Sequence, residues 1–187
     1  MNIRPLLLAA GWLVCGLIPP AGAAPGAFHE YEIKAAFLYN FVQFVEWPPA
    51  AFADPGAPLT IGVLGDDPFG PLLEQTVKGE TVKGRGFVIR RFRDVEAAKS
   101  CQVLFISKSE KERIPQILKH LEWAPVLTVG EADGFAARGG IVNFIIEKSR
   151  VRFEINQESA LRKGLKISSQ LLCLGRIVGG DPSKEDH

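Results

Sequence analysis

Ser100-Cys101-Gln102-Val103-Leu104-Phe105-Ile106-Ser107 is the stretch that decides how this chain folds. Its large apolar residues run on without alternation between polar ends, and the charged segment 108–122 follows at once. A run that short, apolar on both faces, reads as a strand covered by helices on both sides of a parallel sheet. We take it as the central strand and lay the rest of the chain around it.

Downstream of it, Lys108 to Glu122 carries Ile114, Ile117, Leu118 and Leu121 at helical spacing, and Pro125 to Val129 reads as the next strand. Upstream, Leu59 to Leu64 and Phe87 to Phe92 read as strands, with short helices over 71–77 and 94–99. Residues 30–45 place Ile33, Phe37, Phe41, Phe44 and Val45 on one helical face, which Trp47-Pro48-Pro49 ends. Ala24 to Phe28 reads as a small-residue lead-in before that helix. Ile141 to Ile146 and Arg150 to Ile155 form a hairpin around Lys148-Ser149. Asn156 caps a helix from Gln157, and Leu165 to Val178 reads as a final helix buried along Ile167, Leu171, Leu174 and Val178. Strands alternating with helices, then two adjacent strands, predict an α/β three-layer sandwich: a mostly parallel sheet with an antiparallel C-terminal hairpin.

Residues 1–23 stand apart. Arg4 precedes the apolar run Leu6 to Ile18, which is short for a bilayer span, and Pro19-Pro20 and Ala21-Gly22-Ala23 follow. That is the pattern of a cleaved export signal, so the expected organisation is a signal peptide (1–23), one domain (24–180) and a polar tail (181–187). Cleavage would leave 164 of the 187 residues and lower the formal charge from +1 to 0, because Arg4 is the one charged residue removed. Neutrality argues against nucleic acid, which calls for a basic face. No second long apolar segment predicts membrane insertion after cleavage.

The search for chemistry gives binding surfaces rather than a catalytic centre. The turn Gly65-Asp66-Asp67-Pro68-Phe69-Gly70 follows a strand, where open α/β sheets place ligands, and makes Gly65, Asp66, Asp67 and Phe69 candidate ligand residues. A turn stabilised by Asx hydrogen bonds is the plainer reading. The segment 79–85 lacks the Lys-Ser/Thr pair of a phosphate loop. Three scattered histidines offer no metal spacing, and Ser168-Ser169 lacks the hydrolase elbow, so we expect no cofactor, no metal and no enzymatic activity. Cys101 and Cys173 remain after cleavage. They could pair in an oxidising compartment, but a strand mouth and a helix interior read as two buried thiols, so both stay open as redox candidates. In the late hairpin and its preceding loop, Phe135, Glu147 and Phe153 are the candidate partner-binding residues, chosen for position and mixed character; Phe135 could equally tuck into the core.

Taken in order, several segments resemble one family. Tyr31 to Phe41 closing on Val45-Glu46-Trp47-Pro48, Ile61 to Gly70, Cys101 to Ile106, Gly139 to Phe144, Arg152 to Asn156 and Gly164 to Leu172 are similar to the corresponding segments of YfiR-type periplasmic proteins. The resemblance implies an exported, non-enzymatic α/β protein, usually dimeric. Its partner would be the periplasmic domain of an inner-membrane diguanylate cyclase, held inactive so that cyclic di-GMP and biofilm growth fall. A sensor kinase is the related partner, and a small-ligand-binding protein serving a transporter or sensor is the alternative role. Cys101 matches a position that the family uses in redox-sensitive disulfides. No partner cysteine is evident near the first strand, and the loop before Gly139 holds none.

Overall fold

The computed structural model describes residues 25–179; the expected export signal (1–23) and polar tail (181–187) lie outside them. Helix α1 (Pro25–Phe44) takes in the segment expected as a lead-in. Its buried line is Lys34, Ala35, Leu38, Phe41 and Val42, while Ile33, Phe37 and Phe44 are half-buried at its flanks. The stripe is therefore turned from the expected one, and a lysine sits inside it. The helix ends because Val45 and Glu46 go extended as β1 (Val45–Glu46), pairing antiparallel with β8 (Lys166–Ile167). Pro48, at φ −63 and ψ 151, cannot return the chain to a helix.

The main sheet holds seven strands in the order β3 (Phe87–Phe92), β2 (Leu59–Leu64), β4 (Val103–Ile106), β5 (Leu127–Gly130), β6 (Val142–Glu147), β7 (Arg150–Ile155) and β9 (Arg176–Ile177). Pairing is parallel from β3 through β6, antiparallel between β6 and β7, and parallel again between β7 and β9. The opening stretch is thus an interior strand one place from the middle, which β5 occupies. Alternate residues of β4 feed two cores. Val103 and Phe105 join Ile61, Val63, Leu127 and Val129 under α1 and α2 (Leu72–Val77). Leu104 and Ile106 join Leu64 beneath α3 (Val95–Ala98) and α4 (Ile114–His120). A strand buried on both faces has no polar alternation, and helices on both faces make the three layers expected.

Two further elements differ from expectation. Residues 108–122 begin with a 3-10 segment, Lys108–Arg113, before α4, because Ser107 caps Ser109 and Pro115 enters at the first turn. The expected final helix is split into β8, the short α6 (Ser169–Leu174) and β9. Ser168 accepts from the Leu171 N–H and starts α6 afresh. Gly175, extended at ψ 161, brings the chain so close to Phe153 and Ile155 that a Cβ would stand 2.7 and 2.8 Å from them. Only Leu171 of the expected stripe is buried, and Leu174 is 65 % exposed. Between β7 and β8, α5 (Gln157–Arg162) is capped by Asn156 as expected, its Oδ1 accepting from the Ser159 N–H at 2.9 Å.

Candidate functional site

Strand order reverses between β2 and β4: the chain moves outward to β3, then returns to the other side of β2. The carboxyl ends at such a switch point splay apart and leave a crevice. Here it measures about 690 Å³ and is lined by Asp66, Ser107, Lys108, Lys111, Asp133 and Arg138, among others. Gly65 turns the chain at φ 88, and a Cβ there would lie 2.5 Å from Ser109 Oγ. The Asp66 N–H donates to that hydroxyl at 2.9 Å, which ties the first turn to the segment after β4.

The four residues expected to hold a ligand divide. Asp67 Oδ1 accepts from the Phe69 N–H at 2.8 Å and Oδ2 from Arg91 Nε at 2.9 Å, so its carboxylate serves the turn. Arg91 also donates to the Gly70 carbonyl and to Glu74, whose carboxyl is held below its usual range by that hydrogen bond. Phe69 is buried edge-on against Tyr31 and Phe105, with centroids at 5.4 and 4.8 Å. Only Asp66 faces the crevice. Among the described residues no group of three or more His, Cys, Asp or Glu could hold a metal.

Below the crevice lies a buried ionic cluster that sequence reasoning missed. Lys34 Nζ donates to Glu131 Oε2 at 2.5 Å, with side-chain exposures of 3 % and 5 %, and also to Glu30. Tyr31 donates to both carboxylate oxygens of Glu131, at 3.1 and 3.2 Å. Burial and the Glu131 charge raise the pKa of the Tyr31 hydroxyl, so it remains a donor. The cluster pins the first turns of α1 to the residue after β5. Glu30 and Lys34, at i and i+4, were the available sequence signal; Glu131 had none.

The partner-binding candidates also divide. Phe135 is fully buried and belongs to the core under α4, and Phe153 is 4 % exposed among Phe37, Phe41 and Phe144. The Phe37–Phe153 and Phe41–Phe153 centroids are 5.3 and 5.2 Å apart. Both rings are taken up by this chain's own cores, Phe153 beside Ile155 of the same strand and Phe135 beside Ala132 of the same loop. Glu147 lies exposed at the hairpin tip. Beside it is Ile146, 55 % exposed and paired with Val151 beyond the cover of α1. Lys148 and Ser149 close the turn at φ 48 and 59, a left-handed pair without glycine. Such strain is common at functional sites. On the opposite face of the hairpin Arg150 and Arg152 are exposed, and Glu154 accepts from Arg176 and from Asn143 Nδ2. Burial raises the Glu154 carboxyl, but those donors outweigh it and hold the group below its usual value.

The two described cysteines are both free. Cys101 is buried as expected, and its burial pushes the thiol up to about 12. Cys173 is exposed, because the helix it was expected to lie within is only the short α6. A buried thiol of that pKa carries almost no thiolate at neutral pH, so it is inert to alkylation. Iodoacetamide on the folded protein is expected to label Cys173 and spare Cys101 until denaturant is added, read by peptide mass mapping; equal labelling would overturn this.

A family model described as YfiR/HmsC-like matches residues 31–176. No curated protein matches the chain. A conserved domain protein from Vibrio cholerae O1 biovar eltor shares the fold at a TM-score of 0.55 and 13 % identity, over 80 % of this chain and 60 % of that one. The ABC domain from Streptococcus pneumonia, solved in complex with L-Trp, superposes at 0.48 with 12 % identity, over 82 % of this chain and 60 % of that one. The chain therefore spans about 60 % of the length of each solved structure. At 13 % identity the first likeness shows an α/β fold alone; the second carries no argument.

Proposed function

Because the chain belongs to the YfiR/HmsC-like family, we propose that it is an exported regulatory binding protein whose partner is the periplasmic sensor domain of an inner-membrane diguanylate cyclase. By preferring the inactive receptor it lowers cyclic di-GMP output; its effect is bounded by its differential affinity for the two receptor states. The family match over 31–176 carries this reading. In its support, among the described residues no helix is long and apolar enough to cross a membrane. The β6–β7 tip supplies the surface: Ile146 is its apolar anchor, the exposed turn Lys148-Ser149 its polar rim, and Glu147 with Arg150 a charged pair on the other face of the tip. Anchors of that kind dominate interface energies when water is excluded around them.

Titrating the protein into the periplasmic domain of a cyclase from the same genome should give saturable binding at micromolar affinity or better. Ile146→Asp should weaken it at least tenfold while leaving the melting temperature within about 2 °C, since an exposed side chain contributes little to folding. No complex with any cyclase of that genome would remove the assignment. The crevice at the switch point then favours the second reading, a small-ligand-binding protein serving a transporter or sensor kinase.

A further inference from the structure

At the opposite, amino-terminal end of the strands is a pocket that neither the partner surface nor the crevice uses. It is about 280 Å³ and walled by Val42, Val45, Trp47, Phe52, Leu59 and Val82. The walls are held in place. Trp47 Nε1 donates to the Gln102 carbonyl at 3.1 Å, which fixes the indole. The Arg85 guanidinium lies 4.0 Å over the centroid of Phe52 and donates to the carbonyl of Ala57. Apolar pockets with a few convergent polar groups are the usual form of small-molecule sites.

The rim carries Glu46, Lys83 and Arg85, a net positive charge, with Lys166 lining the adjoining hollow beyond Lys83. Arg85 is already occupied by backbone carbonyls and Phe52. Lys83 is not: among the described residues its ammonium makes no hydrogen bond or ion pair, and the same holds for Glu46. Lys83 is also held in an unfavourable backbone state. Val82 and Arg85 exchange two N–H to carbonyl bonds of 3.0 Å, closing a two-residue turn in which Lys83 stands at φ 52 and Gly84 at φ 76. Both centres of such a turn are left-handed, and Asn-Gly or Gly-Gly suits it best. A lysine there costs stability that glycine, which has no Cβ, would recover. The turn places Lys83 at the mouth of the hollow walled by Trp47 and Phe52.

We propose that this pocket binds a small carboxylate with an apolar body about the size of one aromatic ring, its ring against Trp47 and Phe52 and its carboxylate on Lys83. The volume of about 280 Å³ accommodates that body. A free ammonium beside low-dielectric walls strengthens pairing with an anion. The site shares no residue with the hairpin surface.

The test is calorimetry on the full chain with 3-phenylpropionate and with its neutral counterpart 3-phenyl-1-propanol. The carboxylate should bind saturably with a submillimolar dissociation constant, and the alcohol at least tenfold more weakly. Lys83→Gly should bring the carboxylate down to the affinity of the alcohol. Because glycine relieves the left-handed strain, that variant should melt no lower than the parent, so loss of binding cannot be loss of fold. No saturable heat with the carboxylate, or an affinity unchanged in Lys83→Gly, would overturn the site. Neither result bears on binding of the cyclase domain.

Discussion

Lys34→Met should lower the melting temperature by roughly 6–20 °C. Lys34 and Glu131 are each almost wholly removed from solvent and separated by 2.5 Å. Methionine retains the length and apolar packing of the lysine stem, so the change isolates the charge. Glu131 would be left buried with only the Tyr31 hydroxyl as donor. Removing one partner of a buried pair costs about 3–5 kcal/mol, because the remaining charge keeps its desolvation penalty. At about 2–4 °C per kcal/mol for a domain of this size, the range follows. The control is Lys34→Met with Glu131→Leu, which removes both charges and should recover most of the loss, since an apolar pair is often as stable as a buried ionic one. Thermal unfolding followed by circular dichroism reads both. A single variant that melts like the parent would mean that Glu131 finds water, and that the cluster does not pin α1 to the sheet.

Phe135→Ala should destabilise by about 3–5 kcal/mol, the usual result of emptying a fully buried aromatic site. Phe135 is 0 % exposed and fills the space between the loop after β5 and the second core. It does so through two glycines. A Cβ on Gly130 would stand 2.7 Å from its ring, and one on Gly140 only 2.1 Å. The loop backbone wraps the ring on both sides, so a truncated side chain leaves a hole that the loop cannot collapse into without losing the Gly140 N–H bond to the Phe135 carbonyl. Gly140→Ala should destabilise in the same direction, from the opposite partner. If Phe135 were instead an anchor for another protein, Phe135→Ala would weaken binding and leave denaturant unfolding unchanged. Urea unfolding and partner titration on one sample separate the two.

These two cases show which parts of the site could be read in advance. Phe135 was open to both readings because a lone aromatic among glycines has no periodicity, and only the positions of Gly130 and Gly140 in space settle where its ring goes. Phe153 alternates with Arg152 and Glu154, which identified a strand with one wet face; that the dry face lies under α1 required the tertiary packing. Asp66 and Asp67 are neighbours of equal chemistry. The first faces the crevice and the second is consumed by Arg91, a residue 24 positions away.

The amino-acid order determined the secondary elements whose signals are local and redundant: β2, β3 and β7 over their full lengths, the α4 stripe, the Asn156 cap, and the two-faced apolar run of β4. Those signals sit within a few residues of one another, so spacing alone carries them. The tertiary structure decided what depends on partners far along the chain. Val45–Glu46 and Lys166–Ile167 became strands because each found the other. Residues 165–178 gave up a continuous helix because β7 offered an edge to Arg176 and Ile177. A lysine entered the α1 core because Glu131, 97 residues on, was there to receive it. Short segments have little intrinsic preference, and the free energy of pairing and burial, which is non-local, selects among their conformations.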